Sequence, residues 1–185
     1  MRVEIIDDTE GRGPAMVFPP GEKYVDLREN PRAVERIEPA RRYPPLRSFL
    51  TAVNSADSLF SSASASTQND SPTAVSAGEA CEFASQASLV FAESSLNFER
   101  DHFTDLTACL KELLERDSGD AIRTVLRISP CEFPHQNRRG FCLSIRLVAR
   151  GASPEQAEIR WGLGLARLQQ ALLFRARALR QQFSE

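Results

Sequence analysis

The chain has little of what marks an enzyme, a membrane protein or a secreted scaffold. Among 185 residues there are two lysines, two histidines, two tyrosines, two methionines and one tryptophan. No Gly-x-Ser-x-Gly elbow, phosphate-cradling glycine loop, dinucleotide fingerprint or His-Glu-x-x-His pair occurs. Asp101, His102 and Asp105 stand together, yet at a helix start acids serve capping and the helix dipole. No catalytic residue is therefore assigned, and no enzymatic activity is expected. The longest apolar runs, such as Leu89 to Ala92 and Ala171 to Phe174, are only a few residues long, far short of a membrane span. The first eight residues carry acids where a secretory leader needs basic and then apolar ones, so a cytoplasmic protein is expected.

Cysteine is scarce and irregularly spaced. Cys81, Cys109, Cys131 and Cys142 show no repeated close pairing, which fits a reduced intracellular chain better than a disulfide framework. Cys131, His135 and Cys142 come nearest to a metal set. They lack a fourth ligand and a tight Cys-x2-Cys knuckle, so no metal, cofactor or small-molecule ligand is expected.

What the chain does have is sorted charge. From residue 121 onward eleven arginines face four glutamates, a net +7, whereas the first 120 residues hold 12 basic against 21 acidic side chains, a net −9. No basic residue occurs between Arg47 and Arg100. Such asymmetry points to an acidic partner, to nucleic acid or to docking of one part of the chain on another. The predominance of arginine over lysine, 21 to 2, is weaker information, because codon usage alone produces it.

Prolines and glycines punctuate residues 1–48 so densely that an irregular arm reaching outward is expected, with a short strand at Val3 to Ile6 and one short helix opened by Asn30-Pro31 and closed by Pro39. Arg41 to Leu46 reads as extended, because proline restricts itself and its predecessor. Residues 49–185 read as a single α+β domain. Alternation at Cys81, Phe83, Ser85, Ala87, Leu89 and Phe91 favours a strand over 80–92, although Phe83, Ala87, Val90 and Phe91 also share a helical face. A partner strand is placed at 58–66, with a polar turn at Thr67 to Pro72. Leucines at 106, 110, 113 and 114 predict a helix over 101–116. Alternation then predicts an antiparallel pair, 122–129 and 140–149, joined by a loop from Ser129 to Gly140. Ser153-Pro154-Glu155-Gln156 supplies an N-cap, a first-turn proline and a capping glutamine, opening a helix over 154–182. The expected fold is thus a small, mostly antiparallel sheet packed by two helices, the last one long and amphipathic.

That last helix carries two apolar stripes. Trp161, Leu165, Leu168, Leu172, Ala176, Leu179 and Phe183 form a continuous one; Ile159, Leu163, Leu173 and Phe174 lie on another side. One stripe suffices to cover a sheet, so two point either to deep burial between layers or to a second helix from another chain. Gly162 and Gly164 inside the helix point to a close backbone approach or a kink. The function expected is that of a non-catalytic small subunit or assembly factor. Its candidate partner-binding residues are Trp161, Leu165, Leu168, Leu172, Leu179 and Phe183 on the helix, with Tyr43, Pro44 and Pro45 on the arm. The alternative is an RNA- or DNA-binding module that tracks phosphates with Arg123, Arg127, Arg138, Arg139, Arg146 and Arg150 on the hairpin. A phage or virion structural subunit is a second alternative, since arms and Ser/Ala-rich strands suit shells.

Overall fold

The computed structural model describes residues 1–10, 15–21, 24–68, 81–116 and 120–182, the side chains of 181 and 182 excepted. Six strands form one sheet: β1 (Arg2–Asp7), β2 (Met16–Val17), β3 (Phe60–Gln68), β4 (Cys81–Phe91), β5 (Ile122–Phe133) and β6 (Arg138–Gly151). Their order is β1-β5-β6-β4-β3, with β2 also on β5 beyond the end of β1. Both N-terminal strands run parallel to β5, and every other pairing is antiparallel. The helices are α1 (Glu38–Arg42), α2 (Pro44–Val53), α3 (Arg100–Glu115) and α4 (Pro154–Gln182). The mixed α+β fold expected from the sequence is thus present, with β3, β4, α3 and α4 within two residues of their expected limits.

The register assigns each side chain to a face, because successive residues of a strand alternate. Leu126 stands opposite Ile145, and Ile145 opposite Ala87, so these share one face with Ile128, Leu143, Leu147 and Leu89. That face is packed by α2 through Leu46, Phe49, Leu50 and Val53, by α3 through Phe103, Leu106 and Leu110, and by α4 through Trp161, Leu165, Leu168 and Leu172, in one continuous core. Three helices cover the sheet rather than the two expected. The opposite face carries a second, small cluster of Val90, Cys131, Phe133 and Cys142 under Met16, Phe18 and Phe98. Among the described residues no helix covers the rest of that face.

The N-terminal segment does not reach outward. β1 closes one sheet edge, with Met1 and Val3 buried. Arg28 turns back on the main domain, its Nη1 donating to the carbonyls of Ser55, Ser58 and Phe60 at 3.0–3.2 Å. The boundary expected at residue 48 falls inside α2, so arm and domain are one unit. Pro44 and Pro45, expected to be extended, open α2. Tyr43 before them is extended as the cap (φ −118°, ψ 101°), and proline's missing N–H costs nothing in a first helical turn. Pro39 likewise sits in the first turn of α1 rather than closing a helix; the segment before it, Pro31–Arg36, is a 3₁₀ helix.

The hairpin loop expected from Ser129 to Gly140 is instead mostly strand. β5 runs to Phe133 and β6 starts at Arg138, joined by a single 3₁₀ turn, Pro134–Gln136, with Asn137 left-handed at φ 47°. Pro130 is tolerated within β5 because its outer neighbour changes there: β1 ends opposite Ile128 and β2 begins opposite Cys131. Beyond Gln68 the expected polar turn lies outside the described residues.

Candidate functional site

α4 is built by a strong start and a two-sided sequence. Ser153 Oγ accepts the Gln156 N–H at 3.2 Å, and Gln156 Oε1 accepts the Ala152 N–H at 2.7 Å, so two amide donors at the helix entry are satisfied reciprocally. From there the helix crosses the sheet. Trp161 is fully buried, its indole N–H donating to Ser85 Oγ at 2.8 Å and its ring packed against Phe83 and Tyr43. The two glycines admit close neighbours within the chain. A Cβ on Gly164 would lie 3.0 Å from Leu147 and 3.1 Å from Ile122, and one on Gly162 would lie 3.2 Å from Pro45. The close approach expected near Trp161 is therefore made by the chain's own sheet and its own α2, and α4 runs unbroken through both glycines.

This placement corrects most of the expected partner-binding set. Trp161, Leu165, Leu168 and Leu172 are at most 3% exposed and belong to the core. Tyr43 is buried against Phe83 and Trp161, and Pro45 rests at Gly162, so the arm residues bind the chain itself; Pro44 is exposed. Leu179 is half-buried beside His102, Asp105 and Arg175, and Phe183 lies outside the described residues. On this side α4 joins α2 and α3 in the one core that covers the sheet.

Most of the second stripe has the opposite fate, Leu173 alone of its four members being half-buried. Among the described residues five large hydrophobic side chains are exposed, and three of them stand on this side of α4: Ile159 at 66%, Leu163 at 58% and Phe174 at 59%. Phe174 borders a groove of about 370 Å³ between α3 and α4, floored by Leu113, Leu114 and Ala171 and edged by Arg116 and Arg167. The sequence held the signal, since these residues form the second stripe. Periodicity could not say which stripe would face the sheet.

The arginine hairpin is the other candidate surface. Arg123, Arg127, Arg138, Arg146 and Arg150 share the open face of the sheet, whereas Arg139 points to the opposite side, because neighbouring strand positions alternate. Three of the five are already engaged with acids of neighbouring segments: Arg123 with Glu4, Arg127 with Asp8 at 2.8 Å and Arg150 with Glu82 at 2.5 Å. Arg138 stacks over the Phe98 ring at 3.8 Å. Arg146, flanked by Val125 and Gln86, has no ion-pair partner among the described residues and lines a shallow cleft of about 330 Å³ with Arg123, Arg127 and Ser144. The carboxylates respond as such pairing requires. Hydrogen bonding and charge from Arg123 hold Glu4 below its ordinary value, and hydrogen bonds from Thr9 and Arg100 do the same for Asp7.

No protein-family model matches this chain, and no curated protein or solved structure shows significant similarity to it.

The remaining chemistry-bearing residues do not assemble into a centre. Among the described residues no group of three or more His, Cys, Asp or Glu side chains is placed to hold a metal ion. Cys131 and Cys142 do meet, on adjacent strands inside the small apolar cluster. The hydrogen bond that the Cys131 thiol donates to Cys142, together with burial, pushes Cys131 far above its ordinary value. His135 stays outside on the exposed turn. His102 Nδ1 lies 3.1 Å from the Leu96 carbonyl oxygen, fixing the ring at the start of α3. No helix among the described residues is long and apolar enough to cross a membrane.

Proposed function

We propose that this chain is a non-catalytic protein-binding module, a small subunit or assembly factor, and that it docks through the outward side of α4. One observation carries the reading. The three most exposed large hydrophobics among the described residues fall on a single helical stripe, beside a groove with an apolar floor. Scattered apolar side chains are ordinary on a surface, but a contiguous row on one rigid element is what a partner helix or sheet covers. The irregular spacing of the four cysteines supports a reduced compartment such as the cytoplasm.

A second reading, nucleic-acid binding on the open sheet face, is favoured by Arg146 alone at the centre of the cleft. It is weakened by the carboxylates that already engage Arg123, Arg127 and Arg150.

The test is the mass and absorbance of the chain purified with its native associates, compared with an Ile159→Asp/Phe174→Asp variant. Docking through α4 gives a protein-only assembly heavier than 20.6 kDa that the variant loses. A salt-sensitive excess of absorbance at 260 nm, lost in Arg146→Ala and kept in the α4 variant, overturns it in favour of the sheet face.

A further inference from the structure

The outward side of α4 carries its own complement. Glu155, Ile159, Leu163, Ala166, Gln170, Phe174 and Arg177 are all exposed and, at 100° per residue, fall within an arc of about 100°. Along this arc the charge reverses, with Glu155 at the N-terminal end and Arg177 at the C-terminal end. Turned end over end about Ala166, the row falls back on itself. Glu155 comes to Arg177, Ile159 to Phe174, Leu163 to the aliphatic part of Gln170, and Ala166 to Ala166.

Resting on the proposal that this face docks protein, we infer that its occupant is a second copy of this chain, its α4 antiparallel to the first and crossing it at Ala166. Four features fix the arrangement. A two-fold contact needs one patch that complements itself, and this row does so residue by residue. Charge selects the direction: a parallel pairing sets Glu155 on Glu155 and Arg177 on Arg177, whereas the antiparallel one makes two Glu155–Arg177 pairs and opposes the helix dipoles. The smallest side chain sits at the crossing point, where the backbones come closest. Successive members are spaced 4, 4, 3, 4, 4 and 3 residues, a mean of about 3.67, so the row drifts only slightly around a 3.6-residue helix and two nearly antiparallel helices stay in contact along its whole length of about 33 Å. In this pairing Ile159 of each copy reaches Phe174 of the other, at the mouth of the α3–α4 groove.

The experiment is sedimentation velocity of the full-length chain across a concentration series, with three sets of variants. The wild type is expected to shift from monomer to dimer. Ile159→Asp/Phe174→Asp weakens the dimer by about a hundredfold or more, since it charges the centre of each apolar contact. Glu155→Arg and Arg177→Glu each weaken it, and together they restore it. Ala166→Cys gives a reducible intermolecular cross-link under oxidised glutathione, beyond any formed by the wild type with its own four cysteines.

A wild type that stays monomeric, with no cross-link through Ala166→Cys, overturns self-pairing and leaves the docking face to be judged by its native associates. A dimer indifferent to Ile159→Asp/Phe174→Asp overturns both the self-pairing and the docking face. A dimer in which Glu155→Arg and Arg177→Glu fail to rescue each other overturns the antiparallel register.

Discussion

Trp161, Leu165, Leu168 and Leu172 on one side of α4 are at most 3% exposed, whereas Ile159, Leu163 and Phe174 on the other are 66%, 58% and 59% exposed. The two rows have similar chemistry and lie on the same 29-residue helix. What separates them is complementarity on the facing element. The inner row shares one core with Phe83, Ile145 and Leu147 of the sheet, Trp161 packs on Phe83 and on Tyr43 before α2, and Gly164 admits Leu147 within 3.0 Å of where a Cβ would stand. The sheet repeats the contrast. One face is sealed by three helices; the other keeps Arg146, Ser144 and Gln86 along a cleft and pairs Arg123 and Arg150 with acids of adjacent strands. An apolar row thus becomes core or contact surface according to what the rest of the chain brings against it.

The sharpest way to break the comparison is to truncate both rows. Trp161→Ala is expected to cost about 3–5 kcal/mol in denaturant unfolding, because it opens a large cavity and strands the Ser85 hydroxyl. Phe174→Ala should stay within about 0.5 kcal/mol. Equal costs would mean that the outer row is part of the monomer's core.

Next in size is Gly140→Ala, expected to cost about 1–3 kcal/mol by overpacking. Its Cβ would sit 2.3 Å from the Asn97 carbonyl oxygen, a backbone atom held in place because the Asn97 side chain bonds both the N–H and the carbonyl of Phe91. Gly162→Ala is the outer-lying counterpart. Its close neighbour among the described residues is the Pro45 ring at 3.2 Å, and the helix propensity gained, up to about 1 kcal/mol, offsets that contact. Unfolding midpoints of the two variants are expected to differ clearly in that order.

On the open sheet face Arg146→Gln should leave stability unchanged within about 0.5 kcal/mol, as for an exposed side chain without an ion-pair partner among the described residues. A marked loss would show that the open face is bound into the fold as tightly as the closed one.

Acid provides the smallest effect. Glu4, Asp7 and Glu115 all tie β1 to its neighbours, and all three are held below their ordinary values, by Arg123, by Thr9 and Arg100, and by Lys111 with the Val3 N–H respectively. Carboxyls with depressed folded values stabilise fully above their unfolded values of 4.5 and 3.8, and lose that contribution as pH falls through the lower folded ones. The unfolding midpoint should therefore fall slightly below about pH 4, and Glu4→Gln with Asp7→Asn should flatten that slope. All three groups are solvent-screened, so a steep acid transition traced to them would contradict the structure.

Where structure is encoded within a few residues, the sequence reads well. Ser153-Pro154 and Gln156 mark the start of α4 because capping is a contact between residues three and four apart. The alternation from Cys81 to Phe91 marks β4 because one side of it meets the helices. Pro44-Pro45 misled, since two prolines fit an extended segment and a first helical turn equally well; packing of Leu46, Phe49 and Leu50 into the core decides for the helix. The candidate site was legible as two stripes without a label. The basic hairpin was legible as charge, but not as charge already met by Glu4, Asp8 and Glu82.

The sequence by itself determined the sorting of charge and, through local periodicity and capping, the order of strands and helices in the last hundred residues and the two-sided character of α4, but not the reach of β5 and β6 through the expected loop. Only the tertiary structure decided that the N-terminal segment closes the sheet, that Trp161 faces inward while Ile159 and Phe174 face out, and that the hairpin arginines are largely engaged. Those outcomes depend on residues far apart in the chain, 68 positions for Glu82 and Arg150, 76 for Ser85 and Trp161 and 119 for Glu4 and Arg123, and no local pattern carries that information.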